Sequence, residues 1–368
     1  MKSKVFEPYK FGPFNLKNRI VLASMTRTRA QPDGIVTPLV AEYYRQRAES
    51  AGLVLTECVP VNMKHNSFVG AGGMATIEQA ESWKQVIEKV HKENSVIFTQ
   101  IWHPGRAHHS KATGTRGIAP SPIAIEGKAR VGAEHLDHEV PLEMEQKDID
   151  QAVKDFQHGA EMAKLAGFDG IEIHGANGYL VDQFLRTSSN HRKDNYGGSI
   201  ENRARFCLEV IDAVSKVFPP ERVGIKFSLV GRYQSMRDDD PVALGIYLSQ
   251  ELSKRNILYV QFGDADNALP GDPKDLGENQ IANVAKTFRP HFKGQIITNG
   301  AKDWKESVRR VEDGEADLVS FAKLFLSNPD LTERMKNGWE FTQPDMTVYT
   351  GKGEVGYSDW PKYQEKKN

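Results

Sequence analysis

The stretch IEIHGANGYLVDQF, residues 171–184, places His174, Asn177 and Tyr179 within six positions directly after a short apolar run. An imidazole and a carboxamide can each donate an N–H bond toward one point, as an oxyanion requires, and a phenol beside them can give up a proton. The chemistry this suggests is polarisation and protonation of a carbonyl compound. Phenol is a weak acid, with an unperturbed pKa of about 10, so its proton moves only to a strongly basic carbon such as that of an enolate. A second signal is Lys226, inside the strand-like VGIKFS. A buried ammonium is costly unless something anionic or polar compensates it. An internal ion pair with Glu172 or Glu57 is the plainer explanation. A lysine at a strand end can also form a Schiff base with a carbonyl substrate, which makes a phosphate-binding aldolase a competing enzyme class.

These residues need elements to hold them. Apolar β-branched runs occur at residues 19–24, 52–57, 96–101, 169–174, 223–228, 257–262, 295–299 and 317–321, with segments of helical period between them. That alternation is the βα signal, and eight units are the number that closes a (β/α)8 TIM barrel, here a single domain over residues 1–368. An open doubly wound sheet would place a glycine-rich turn after its first strand, and RIVLASMTRTRA has none. Residues 1–18 are expected to cap the base of the barrel. The Gly-, Pro- and His-rich segment 103–145 is expected to form a lid or insertion loop after the third strand. Thr76 with Gln79 and Asp148 with Gln151 have capping-box spacing, Ser199 can cap a helix, and RDDDP reads as a helix start at Pro241. In a barrel the C-terminal strand ends converge on one mouth. The polar residues there are Ser24, Thr26, Glu57, Cys58, Gln100, Trp102, His174, Lys226 and Asn299, followed by Gly300, Ala322 and Lys323.

Composition narrows the classes further. With 48 basic and 49 acidic residues, a net charge of −1 gives no pull toward nucleic acid or an anionic membrane. No run reaches the roughly 18–20 apolar residues of a membrane span, so a cytoplasmic protein is expected. Two distant cysteines, Cys58 and Cys207, provide neither a disulfide framework nor ligands for an iron–sulfur cluster. His103, His108 and His109 lie close together, but no carboxylate or thiolate completes a metal set, so no metal is expected.

Over nearly its whole length the sequence resembles the Old Yellow Enzyme family of FMN-dependent ene-reductases. The resemblance rests on FGPFNLKNRIVLASMTRTRA, TQIWHPGR, HGANGYLVDQFLRTSSNHRKDNYGGSIENRARFCLEV and NPDLTERMKNGWEFTQPD. It implies FMN across the barrel mouth, NADPH or NADH as reductant in the substrate's own pocket, and a small-molecule enone, or a nitro compound, as substrate. By position, Thr26 would donate to the flavin C4 carbonyl and Gln100 would pair with the pyrimidine edge. Backbone near Ser24, Met25 and Cys58 would line the ring, and Lys226 would face N1 and O2. Gly300, Ala301, Ala322 and Lys323 would surround the phosphate. His174 and Asn177 would hold the substrate oxygen, Tyr179 would protonate the α-carbon, and Phe68, Trp102, Tyr349 and Tyr357 would form the pocket walls. The chain would be a monomer or a homodimer.

Some positions depart from the family pattern. Lys226 and Lys323 stand where arginine is usual, Ala322 replaces a glycine, Ser24 a proline, and Cys58 a small residue. Lysine offers a point charge where arginine offers a fork, so weaker FMN retention and an altered flavin potential are expected. A flavin-binding protein whose lysine exchanges have disabled turnover is the non-enzymatic alternative.

Overall fold

The computed structural model describes residues 2–132, 134–264, 281, 283–299 and 303–364. Eight strands close into a barrel in chain order: β1 (Ile20–Leu22), β2 (Leu53–Pro60), β3 (Val96–Trp102), β4 (Gly170–Gly175), β5 (Val223–Phe227), β6 (Tyr259–Gly263), β7 (Gln295–Asn299) and β8 (Leu318–Phe321). Every neighbouring pair is parallel, and β8 returns to β1. A helix of the outer ring follows each strand: α1 (Pro38–Ala48), α2 (Ile77–Lys92), α3 (Gln146–Ala166), α4 (Ile200–Ser215), α5 (Pro241–Lys254), α6 (Val284–Phe288), α7 (Trp304–Glu312) and α8 (Lys323–Ser327), with shorter helices at Ser110–Thr113, Leu180–Leu185 and Leu331–Asn337. The expected (β/α)8 architecture is therefore present.

The helix starts follow from local chemistry. Thr76 and Gln79 form the expected capping box of α2, Ser199 accepts from the Asn202 amide at the start of α4, and Asp240 caps α5 with Pro241 in its first turn. Helix α3 departs from expectation. It opens at Gln146 with Glu145 as N-cap, so Asp148 is the third helical residue and reaches back to the Glu145 amide at 2.9 Å. An acidic side chain serves either position, and the earlier start buries Ile149.

Alternation along each strand sorts the core into two layers. Ile171 and Ile173 of β4, with Val223, Ile225 and Phe227 of β5, join the cluster shared with the helices. Phe98, Tyr259, Ile297 and Leu318 point inward at the N-terminal ends of their strands. There they meet Phe11 and Leu16 from a hairpin, Tyr9–Phe11 paired with Phe14–Leu16. Phe11 lies 5.5 Å from the Tyr259 ring and 6.1 Å from Phe98, centroid to centroid. Two glycines make the room: a Cβ on Gly170 would sit 2.2 Å from the Phe98 ring, and one on Gly224 would sit 2.2 Å from Tyr259. In the segment after β3, Ile118–Ala119 pairs with Leu142–Glu143, and Lys128–Val131 pairs with Glu134–Asp137.

Candidate active site

The inward faces of β2 to β6 change character toward the mouth. On β2 the register with β3 slips between Leu55, opposite Phe98, and Cys58, opposite Gln100. Three residues on β2 therefore span two on β3, a bulge that brings Cys58 rather than Glu57 opposite Gln100. Glu57 accepts instead from the backbone amides of Arg27 at 3.0 Å and Thr28 at 3.4 Å, which holds the loop carrying Thr26. Burial raises the Glu57 pKa, and these amides work against that rise. The Cys58 thiol donates to Gln100 Oε1 at 2.8 Å and lies 3.7 Å from Ser24 Oγ. Burial pushes it up to about 11, so it is a protonated donor at neutral pH.

Beneath this sits a polar network. Gln100 Nε2 donates to Glu172 Oε1 at 2.5 Å, and the Tyr259 hydroxyl donates to Glu172 Oε2 at 2.9 Å. Gln261 Nε2 approaches the same carboxylate at 3.3 Å. Lys226 is register-paired with His174 on one side and Gln261 on the other. The lysine is buried, yet among the described residues it forms no ion pair, so the expected alternative of a contact pair with Glu172 or Glu57 is not what is found. Burial lowers the Lys226 pKa, with Glu172 and Cys58 working the other way.

The turn after β4 carries the other polar groups. Asn177 takes the left-handed conformation (φ 57°), which asparagine tolerates better than most residues, and Gly178 follows at φ 72°. The turn is held from three sides. Ser228 Oγ accepts from the Asn177 amide at 2.7 Å, Asp182 Oδ2 from the Gly178 amide at 2.9 Å, and Gln183 Nε2 donates to the Gly178 carbonyl at 2.6 Å. Tyr179 emerges from this turn 4.6 Å edge-on from Trp102 and 5.2 Å from the His174 ring, and Phe68 stacks on the far side of Trp102 at 5.5 Å. Burial raises the Tyr179 pKa well above that of a free phenol, against a hydrogen bond with the Gln234 side chain, so the hydroxyl keeps its proton. His174 is held well below the usual imidazole value by burial and then by Lys226, which leaves it neutral. Its Nδ1 is buried with no partner among the described residues.

Most of the expected site residues thus gather at the mouth: Ser24, Thr26, Cys58, Gln100, Lys226, His174 and Tyr179, with Trp102 and Phe68 beside them. Met25 lies half-buried in the same loop. Tyr349 is held near it, its carbonyl accepting from Arg27 Nε at 2.7 Å and Arg29 Nη1 at 3.0 Å. Tyr357 is not brought to the mouth. Tyr357 is 1% exposed and its ring stacks on Tyr43 of α1 at 4.3 Å, with the Arg29 guanidinium over it, so it packs the tail against the barrel. Ala322 and exposed Lys323 stand at the start of α8, whereas Gly300 and Ala301 lie outside the described residues. Glu172, Tyr259, Gln261 and Ser228 were not singled out as site residues. Inward parity in IEIH and in YVQF was the signal that could have found the first three.

The histidine-rich segment forms a cluster of a different composition from the one its spacing suggests. His103 Nε2 meets His65 Nδ1 at 3.2 Å, and His108 bonds Ser67 and Thr113, while His109 faces Glu139. Among the described residues no group of three His, Cys, Asp or Glu is arranged to hold a metal ion. No helix among them is long and apolar enough to cross a membrane.

Comparison with known proteins supplies the identification. The sequence model of the NADH:flavin oxidoreductase / NADH oxidase family matches residues 4–341. The chain is 38% identical over 361 residues to 12-oxophytodienoate reductase 1 of Oryza sativa subsp. japonica, covering 97% of this chain and 93% of that one. It belongs to the Old Yellow Enzyme family. A probable flavin mononucleotide-dependent alkene reductase of Leishmania infantum is 36% identical over 364 residues, covering 97% of each chain. The structure of morphinone reductase in complex with tetrahydroNAD superposes with a TM-score of 0.90 at 37% identity, covering 100% of this chain and 99% of that one. The family's cofactor is FMN, and the mouth fits a flavin. It offers a buried cation without an ion pair among the described residues (Lys226) and a buried acceptor without a donor (Gln261 Oε1), the mixed set the polar edge of a planar heterocycle would satisfy, while the unpartnered His174 Nδ1 stays open to a second ligand.

Proposed function

We propose that the protein uses NADH or NADPH to reduce the activated C=C bond of α,β-unsaturated carbonyl compounds, and of nitro compounds, with FMN as its cofactor. The observation that carries this reading is the mouth itself. A neutral histidine, a protonated tyrosine and a buried lysine lie side by side on β4, the turn after it, and β5, in a chain of the Old Yellow Enzyme family. Its relatives include reductases of 12-oxophytodienoate and morphinone, and the morphinone reductase structure holds a reduced nicotinamide analogue.

FMN, when bound, would supply the hydride-transfer chemistry between the reduced nicotinamide and the activated alkene. In this reading Lys226, Gln100 and Thr26 hold its pyrimidine edge, and backbone near Ser24, Met25 and Cys58 lines the ring. Ala322 and Lys323 serve the phosphate together with Gly300 and Ala301. His174 and Asn177 donate to the substrate oxygen, draw electron density from the β-carbon and stabilise the charge that gathers on oxygen. A neutral His174 does this as a hydrogen-bond donor. Tyr179 delivers its proton to the α-carbon; its raised pKa means that only a carbon as basic as an enolate can take it. Phe68, Trp102 and Tyr349 shape the space above, and the nicotinamide and the alkene use that space in turn.

The test is a spectrum of the purified protein across the flavin bands, before and after anaerobic NADPH and then after cyclohexenone. Bands that bleach with NADPH and return with the enone are expected. A protein that stays colourless after incubation with FMN overturns the reading, and borohydride trapping of a carbonyl compound on Lys226 would then assign an aldolase. Bound FMN that NADPH does not bleach would leave a flavin-binding protein without turnover.

A further inference from the structure

Glu172 has no part in the mechanism above, yet its buried carboxylate is engaged by three side-chain donors. It lies on β4 two residues before His174, is 0% exposed, and is register-paired with Gln100 of β3. Three donors from two other strands, β3 and β6, converge on its carboxylate: Gln100 Nε2 at 2.5 Å, the Tyr259 hydroxyl at 2.9 Å and Gln261 Nε2 at 3.3 Å. Among the described residues no positive charge touches it. Lys226 lies on the neighbouring strand, two residues further toward the mouth, and the two charges influence each other without contact. A buried acid that served only packing would be expected to carry a contact ion pair or give way to an apolar residue, because burying a charge costs several kcal/mol.

What this acid does is visible in Gln100. Burial raises the Glu172 pKa, while Lys226 and the bonds from Gln100 and Tyr259 favour its charged form; as a carboxylate it can only accept, and so it draws the NH2 end of the Gln100 amide toward itself. The carbonyl end is left on the Cys58 side, where the thiol donates to it. A carboxamide is ambiguous between its two ends, and here Glu172 removes the ambiguity. Its negative charge also lies close enough to Lys226 to offset part of the positive field that the lysine places at the mouth.

We propose that Glu172 is a positioning residue for the bound cofactor, turning the carbonyl end of Gln100 toward the flavin and offsetting the charge of Lys226 beneath it. This rests on the functional reading above. Two substitutions separate its parts. Glu172→Gln keeps the shape, lets the Gln100 amide face either way and removes the negative charge. Glu172→Asp keeps the charge but is one methylene short of Gln100. Both should weaken FMN binding, measured by flavin fluorescence quenching, by roughly ten-fold, the scale of one hydrogen bond to a charged group. Only Glu172→Gln should move the flavin midpoint potential, to a more positive value, because less negative charge opposes the anionic reduced ring. A role in packing alone would weaken binding without separating the two variants in potential. Wild-type affinity in Glu172→Asp, or equal potentials in the two variants, overturns the proposal; if Glu172→Gln does not fold, the affinity of Glu172→Asp decides. A wild-type protein that takes up no FMN overturns the functional reading, and this proposal with it, so the two failures are distinguishable.

Discussion

At the base of the barrel, Phe98 and Tyr259 meet Phe11 and Leu16 in an apolar packing with no exposed surface beyond a few per cent. Two positions further along the same two strands stand Gln100 and Gln261, and beside them Glu172 and Lys226, buried almost as deeply. The base is closed by aromatic and aliphatic packing, and its unpartnered polar atoms among the described residues, Arg19 Nε and Gln295 Oε1, sit at its rim beside the hairpin. The mouth leaves Gln261 Oε1 and His174 Nδ1 unpartnered and Lys226 without an ion pair among the described residues. Buried polar groups are nearly always paired, and at the mouth the open ones stand together on neighbouring strands around a buried cation, which marks it as the end built for something else to complete. Tyr259 joins the two regions, its ring in the base and its hydroxyl on Glu172. Stability and function should accordingly separate along the barrel axis.

The largest expected effect tests the base. Phe11→Ala should cost about 3–5 kcal/mol of stability, the usual range for emptying a packed aromatic site, while the folded fraction keeps its FMN affinity and turnover. Urea denaturation together with flavin titration would show this. Loss of FMN affinity in the still-folded fraction would mean that the base shapes the mouth and that the separation fails. The next effect tests the mouth in the opposite sense. Tyr179→Phe should leave stability and flavin reduction by NADPH unchanged while slowing enone turnover roughly 100-fold, the lower range for loss of a general acid. Stopped-flow measurement of the two half-reactions would separate them, and unchanged oxidation by the enone would remove Tyr179 from its role.

How far this contrast could be read in the sequence depends on what each feature leaves behind locally. Ile171 and Ile173 flank Glu172 and His174, so the strand and its polar inner face are both written in IEIH. Other strands, such as IVL of β1, read only as apolar runs, and their inward faces are set by the barrel. A bulge leaves no such mark. Nothing in LVLTECVP says that Cys58 instead of Glu57 will lie opposite Gln100, because the extra residue is defined only by pairing with β3. The position of Tyr357 was illegible for a related reason: a tail without period gives an aromatic ring no direction, and its partner Tyr43 is more than 300 residues away in the chain. The start of α3 was misplaced because Glu145 and Asp148 are both acids that suit a helix N-terminus. His65 escaped notice in the histidine cluster because it belongs to another loop.

The smallest effect concerns protons, and it sets the loops around the mouth against the base once more. His174, His65, His103 and His108 all have pKa values lowered first by burial, His108 to about 4; Asp155 near His65 and Glu139 near His108 lean the other way without prevailing. A histidine depressed in the folded state binds fewer protons than the unfolded chain between the two pKa values. Its contribution is therefore intact above the unfolded value of about 6.5 and is lost as pH falls from there toward the folded value. Turnover should show no break near pH 6.5 from His174, which stays neutral on both sides of it. Acid should instead loosen the histidine-bearing loops before the base, whose hairpin Tyr9–Leu16 contains no histidine. Hydrogen exchange at pH 7.5 and pH 5, corrected for intrinsic rates, should show protection falling first in residues 63–68 and 103–113. Earlier loss in the hairpin would place the weak end of the barrel at the base and reverse the comparison.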